Sequence, residues 1–361
     1  MTKQNQVAVV GAGVLGLIQA LLLQRTGRQV TLFERESERL DHHCSSVAAG
    51  MIAPFCELNE AEPEAALWGA QALAVWQSIL PTLKAPVHSS FEGTLVIAHH
   101  QDRTGLQYLA ERVKHLGFEH SMRVLSRQTL RELEPELEGR FAEGLFFSPE
   151  GEVDPRMLLP ALVQTLRSEG AILQFQTPVE DIQDGKLRIH SEWREFEWVL
   201  DCRGLAARDI FPNIRGVRGE VMLLRAPDVQ LRRPIRMVHP RYPLYIVPRP
   251  DHHFFIGATA VESESMRKTT VKSALDMLSA AYSLHPAFAE AEIIETRAHL
   301  RPTLSEHLPA IRQQGRTLHL NGLTRHGYLL APYLATTAAH FVQHQTWPED
   351  AQRLHRPQES A

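Results

Sequence analysis

The chain has 361 residues, 43% of them hydrophobic and 22% charged, and a formal net charge of −4. This is an ordinary globular composition, long enough for two domains. It contains no extended basic block, which disfavours nucleic acid or an anionic membrane as a partner. Cys44, Cys56 and Cys202 make neither a disulfide framework nor a Cys-x-x-Cys site and suit a reducing cytoplasm. No uncharged apolar run reaches the roughly 18 residues of a membrane span. The polar first six residues argue against a signal peptide.

Val7–Val10 is a short, mostly β-branched run that suits a strand buried on both faces. It enters Gly11-Ala12-Gly13-Val14-Leu15-Gly16, and an apolar helical pattern continues to Arg25, with Gly27 placed to end it. Val30–Phe33 is a second buried strand and Glu34 follows. Gly11 permits a tight turn, Gly13 lets backbone approach a pyrophosphate, and Gly16 lets helix and strand pack closely. The helix N-terminus offers free N–H groups to phosphate. Glu34 lies 18 residues after Gly16, where an acid can hold a ribose hydroxyl. The unit therefore reads as a dinucleotide site, and by itself does not choose between NAD and FAD.

Ser45–Pro54 (SSVAAGMIAP) is a loop of small residues able to lie against something flat or anionic. Pro63–Leu80 is an amphipathic helix with proline in its first turn. Phe91–Ala98 reads as a strand, Asp102–Leu116 as a helix and Gly144–Phe147 as a strand, while Val124–Glu134 carries Ser126 as an N-cap. Asp154-Pro155 caps a helix with Leu158, Leu159, Leu162 and Leu166 on one face. Ala171–Phe175 and Thr177–Ile182 read as strands, as does Trp198–Asp201, which ends at Gly204. Gly219–Leu224, Leu244–Pro248 and Phe254–Gly257 are short strands, Val271–Ser283 a helix, and Glu295–Pro302 extended. Leu318–Leu323 is a strand, Thr324–Gly327 a turn, and a helix runs from Tyr328 to about His344. Trp347–Ala361 reads as a mobile polar tail.

The fingerprint with SSVAAGMIAP resembles the D-amino-acid oxidase superfamily of FAD enzymes, with the greatest likeness to glycine oxidase. Gly151–Pro155, Leu200–Gly204, Val217–Glu220, Tyr245–Arg249, Ile256–Thr259, Leu300–Pro302 and Thr324–Pro332 follow in the family's order, so the likeness covers almost the whole chain. It implies a mixed α/β and α+β fold. A Rossmann-like, glutathione-reductase-type FAD domain would be built from residues 1–85, 150–214 and 301–345. An inserted antiparallel-sheet substrate domain would take 86–149 and 215–300, leaving 346–361 as the tail.

For the cofactor, the likeness implies FAD along Gly11, Gly13, Val14, Leu15, Gly16, Glu34 and Arg35, with Ser45 and Ser46 on its phosphates. Ala48, Ala49, Gly50 and Met51 would back the flavin, Val179 would meet adenine through its backbone within a Thr177–Val179 strand, and Gly204 would approach closely. Gly327, Tyr328 and Leu329 would point N–H groups at the pyrimidine edge, beside Arg325 and His326.

For the substrate, the likeness implies Arg301 as double donor to an amino-acid carboxylate, Tyr245 adding a hydroxyl, and Arg325 and Met51 lining the pocket. The implied reaction oxidises a C–N bond of a small amine or amino acid, such as glycine, sarcosine or a D-amino acid. Hydride goes to flavin N5, and the imine hydrolyses. Oxygen or another electron acceptor would complete the cycle, and a homo-oligomer is compatible with the sequence. Ala260, Ser263–Met266 and Phe55-Cys56 depart from the family pattern near the pocket. Three rival readings therefore stand: a flavin protein whose pocket has drifted, an enzyme acting on a secondary amine within a macromolecule, and an NAD dehydrogenase.

Overall fold

The computed structural model describes residues 5–239 and 244–355. Two sheets dominate it. The first grows from β1 (Gln6–Val10), whose last four side chains are all buried. Helix α1 (Val14–Arg25) returns the chain to β2 (Gln29–Phe33), parallel to β1 and in register from Gln6 with Gln29 to Val10 with Phe33. Ile172–Gln174 extends the sheet beyond β2. Trp198–Asp201 joins the other side of β1, followed by Thr317–Asn321, also parallel, and by Ala310–Gln314 as an antiparallel edge. A fully apolar central strand requires cover on both faces. On one face the helices α1, Pro63–Ile79, Pro155–Ser168 and Gly327–His344 supply Leu17, Leu21, Trp76, Leu162 and Leu334 to a core with Val7 and Val9, and on the other Ile182, Leu187, Ile189 and Phe196 pack with Ala8 and Val10.

The second sheet has eight strands, in the order Glu292–Thr303, Arg215–Arg225, His253–Gly257, Leu244–Arg249, Ile235–Val238, Thr94–Ala98, Glu143–Phe147, Met122–Ser126. It was expected to be antiparallel and is mixed. Ile235–Val238 pairs parallel to Thr94–Ala98, where two distant parts of the chain meet. No hairpin joins those strands, so no turn imposes the antiparallel sense. Strand Glu292–Thr303 runs on past residue 300 and so carries Arg301 within this sheet, paired to Val217. Helix Val271–Leu284 covers one face with Met277, Ala281 and Leu284 against Met222, Ile246 and Ile256. A small third sheet of Met51–Ile52, Gly151–Val153 and Ser89–Ser90 ties the two large ones together.

The caps fall where the sequence places them. Asp154 Oδ1 accepts from Arg156 N at 2.8 Å, and Ser126 Oγ accepts from Thr129 N at 3.3 Å. Two expectations fail. Thr177–Ile182 is not a strand: residues 177–180 are irregular and pairing starts at Asp181, in a meander with Lys186–Ile189 and Glu192–Glu195. Pro178 has no N–H to give a ladder. Nor is the tail loose at its start. Trp347 stacks on Phe341 at 4.0 Å, Leu354 is fully buried, and its carbonyl accepts from Ile311 N at 2.8 Å. Three apolar residues among polar ones (Trp347, Ala351 and Leu354) suffice to dock it. The rest of the expected tail, 356–361, lies outside the described residues.

Candidate active site

A cleft of about 1510 Å³ lies between the two large sheets. At one end it is walled by the turn after β1. Gly11 has φ +101°, and a Cβ there would sit 2.7 Å from Cys202 O. A Cβ on Gly16 would sit 1.8 Å from Gly11 O, so only glycine lets α1 leave the turn at this angle. The first-turn N–H of Val14 donates to Ser45 Oγ at 3.0 Å, which brings that hydroxyl to the helix N-terminus. Glu34 is 5% exposed and accepts from Ala12 N at 2.7 Å and Glu36 N at 2.8 Å, with His43 Nε2 3.4 Å away. Burial pushes its carboxyl up, but His43 and the two N–H donors outweigh this and hold it below the usual carboxylate value. Arg35, Thr177, Pro178 and Val179 complete this end.

The middle is a wall of small residues, Val47, Ala48, Ala49 and Gly50. Gly50 has φ +73°, and a Cβ there would lie 1.9 Å from Val153 O. Arg249 fixes the loop from behind. It donates to Ala49 O at 2.5 Å, pairs tightly with the buried Glu152, and reaches Val153 O at 3.4 Å. Opposite stand Gly204 and the start of helix Gly327–His344. The helix's first intrahelical bond is Leu330 N to His326 O, so the N–H groups of Gly327, Tyr328 and Leu329 have no acceptor within it. Tyr328 lies over Trp76 and donates its hydroxyl to Ser45 O at 2.9 Å.

The far end carries the charges. Arg301, Tyr245, Met51, Arg325, Glu57, Glu60 and Arg236 all line it. Arg301 lies against Gly219, where any Cβ would come within 2.4 Å of its guanidinium carbon. Among the described residues its one hydrogen bond is to Thr259 O, at 2.9 Å. Arg325 is far more occupied: Nη1 is 2.7 Å from Glu60 Oε2 and Nε 3.5 Å from Glu57 Oε2. Arg236 donates to Cys56 O, Asn59 Oδ1 and Glu60 Oε1, each at 2.8 Å. Burial pushes Tyr245 up to about 12, so its phenol keeps its proton and can donate.

Residues 6–341 match the family model described as FAD-dependent oxidoreductase. The chain belongs to this FAD-dependent oxidoreductase family. A Rhizobium etli protein that carries the provisional name thiamine biosynthesis oxidoreductase ThiO is 40% identical over 95% of this chain and 98% of its own. Glycine oxidase of Geobacillus kaustophilus is 26% identical over 95% of this chain and 94% of its own. The crystal structure of glycine oxidase from that organism superposes with a TM-score of 0.85, at 22% identity, over 99% of this chain and all of that one. Iminodiacetate oxidase from Chelativorans sp. BNC1 superposes at 0.83, also at 22% identity, over 98% of this chain and 100% of its own. These superpositions establish the two-part flavoprotein fold.

The cleft fits FAD. A glycine turn that cannot take a Cβ, a helix N-terminus with a serine hydroxyl at its first N–H and a buried acid stand in the order adenosine diphosphate needs. When bound, FAD supplies the two-electron acceptor. Of the residues expected at the cofactor, Gly11, Gly13, Val14, Leu15, Glu34, Arg35, Ser45, Ala48, Ala49, Gly50, Met51, Val179, Gly204, Arg325, Gly327 and Tyr328 line the cleft. Gly16 acts from behind, through packing. Ser46 is a correction: its hydroxyl bonds the carbonyls of Asp41 at 3.0 Å and His43 at 2.8 Å, turning away from any phosphate. Leu329 does not line the cleft, and its side chain packs on Gly69 in the core. His326 is buried outside the cleft wall, 3.8 Å from Glu57. Burial, with Arg325, Arg236 and Arg301 nearby, drives it down to about 4 against the pull of Glu57, so it is neutral.

Glu57, Glu60, Arg236 and Arg249 escaped the sequence reading. Arg236 carried no signal, and the other three carried weak ones. Glu57 and Glu60 are acids next to the apolar stretch Met51–Cys56, and Arg249 closes the motif Tyr245–Arg249.

Proposed function

We propose that this FAD enzyme oxidises the C–N bond of a small α-amino acid, glycine or an N-methylated or D-configured relative. The observation that carries the proposal is Arg301, a cleft-lining guanidinium whose one hydrogen bond among the described residues is to the Thr259 carbonyl, beside the protonated Tyr245. Such a fork matches a carboxylate, and the phenol adds a third donor. Arg325, spoken for by Glu57 and Glu60, supports the pocket's shape and charge. The curated relatives named glycine oxidase point to the same substrate class.

The protein's part is positional. Arg301 and Tyr245 hold the carboxylate and thereby the Cα–H, the Ala48–Gly50 wall sets the plane against which it reacts, and the enclosed site limits water. The N–H groups at the start of helix Gly327–His344 would stabilise negative charge on a bound cofactor. The product imine hydrolyses in water, with oxygen or another acceptor completing the cycle. The test is anaerobic. Glycine, sarcosine and D-alanine are added to the yellow holoenzyme and its visible absorbance is followed; bleaching by at least one is the expected result. Loss of colour with none of a broad amine panel overturns the substrate class. The rate at which air restores the colour then separates oxidase from dehydrogenase.

A further inference from the structure

Most charges at the far end of the cleft are matched. Glu60 accepts from Arg236 at 2.8 Å and Arg325 at 2.7 Å, and Arg325 is shared by two carboxylates. Two groups stand apart. Among the described residues Arg301 has only a carbonyl partner. Glu57, whose side chain is 17% exposed at the cleft wall, accepts no hydrogen bond at its carboxylate from any described residue. Its nearest partners are the Arg325 guanidinium, Nε at 3.5 Å, and the neutral His326 ring, Nδ1 at 3.8 Å. Glu57 comes from the loop after Met51 and Arg301 from strand Glu292–Thr303, so the two incompletely matched charges approach one cavity from opposite parts of the fold.

We infer that Glu57 is a specificity-determining residue: it receives the amino group of the substrate while Arg301 receives the carboxylate. The inference rests on the amino-acid reading above and deepens it. A positive and a negative group facing one small cavity are complementary to a zwitterion. They are less complementary to a carboxylic acid without nitrogen, which would leave Glu57 desolvated with only the Arg325 guanidinium at 3.5 Å to balance it. Burial pushes the Glu57 carboxyl up, but Arg325, His326, Arg236 and Arg301 together hold it below its usual value, so it is ionised at neutral pH. It therefore attracts the ammonium form without keeping the proton, which passes to water before the Cα–H is transferred. Selection against an analogue with a hydroxyl in place of the ammonium is thus built from an acid left without a hydrogen-bond donor as well as from the attractive contact.

The probes are glycine and glycolate, which share a carboxylate and differ in amine against hydroxyl. In the FAD-loaded Glu57→Gln variant the KM for glycine rises about tenfold, while the inhibition constant of glycolate stays level or falls. Glu57→Asp recovers part of the discrimination. A carboxylate that merely props Arg325 would move both ligands together and shift the visible spectrum of the unliganded enzyme; that result, or no change in either ligand, overturns the inference. The two proposals fail separately. If no amine bleaches the wild-type flavin, competition between glycine and glycolate still reads through the flavin absorbance, and a preference for glycine that vanishes in Glu57→Gln sustains the role of Glu57.

Discussion

The two ends of the cleft are built by opposite means. The heart of the phosphate-facing end is contiguous in sequence and made of backbone: Gly11, Gly13, Gly16 and the first turn of α1 act through what they lack. The substrate end is assembled from side chains of five separated segments, those carrying Met51 with Glu57, Arg236, Tyr245, Arg301 and Arg325. Backbone recognition depends on shape, and a single Cβ destroys it. Side-chain recognition depends on charge pairing, where one substitution alters choice and rate and leaves the frame standing. One family can therefore keep its cofactor while its substrates vary.

The largest expected effect falls on the backbone end. Gly16→Ala places a methyl 1.8 Å from a carbonyl that the β1 turn cannot move. The variant should purify colourless, or bind FAD more than a hundredfold more weakly on reconstitution, as followed by flavin fluorescence. A yellow Gly16→Ala protein with normal FAD affinity would mean that the turn tolerates displacement, and the contrast between the ends would collapse.

Next in size is Arg301→Ala, which should do the reverse. FAD content and visible spectrum stay normal, while kcat/KM for glycine falls on the order of a hundredfold, about 3 kcal/mol, as for removal of one partner of a desolvated charge pair. Unchanged steady-state kinetics would remove Arg301 from the site.

The contrast also explains what could be read in the sequence. The β1–α1–β2 unit was legible because its determinants are local: buried β-branched runs, glycines at fixed offsets and an acid at a fixed distance. Asp154 and Ser126 were legible as caps for the same reason. At the far end Arg301, Tyr245, Met51 and Arg325 were reached through likeness to a family, since no spacing along the chain brings residue 57 to residue 325. Glu57, Glu60 and Arg236 stayed hidden because their meaning is relational. A carboxylate is a surface group or a selector according to which guanidinium folds against it. Ser46 was misjudged by adjacency, since one rotation along a four-residue helix carries it from Ser45's face to the carbonyls behind. The parallel pair in the second sheet arises from a long-range connection that alternation of polar and apolar residues does not encode.

The smallest effect concerns the support of the substrate loop. Glu150 is fully buried beneath it and accepts from Phe55 N at 2.6 Å and Cys56 N at 2.8 Å, fixing the segment that leads into Glu57. Burial raises its carboxyl to about 7, the two N–H donors opposing only in part. Glu34, at the other end, is shifted the opposite way. The folded protein therefore binds more protons than the unfolded chain at Glu150 between about pH 4.5 and 7, so this group favours folding below that window and the benefit is lost as pH rises through it. The full span corresponds to at most on the order of 3 kcal/mol, and opposing carboxylates such as Glu34 mask part of it. Glu150→Gln keeps an acceptor for both N–H groups and removes the titration. Thermal melts of the holoenzyme from pH 5 to 8 should show the variant less sensitive to pH than wild type, gaining relative stability toward pH 8. Parallel melting curves for the two proteins would show that the loop beside Glu57 is held by the Arg236 contacts alone, and that the substrate end is as indifferent to its buried acid as the phosphate end is sensitive to its glycines.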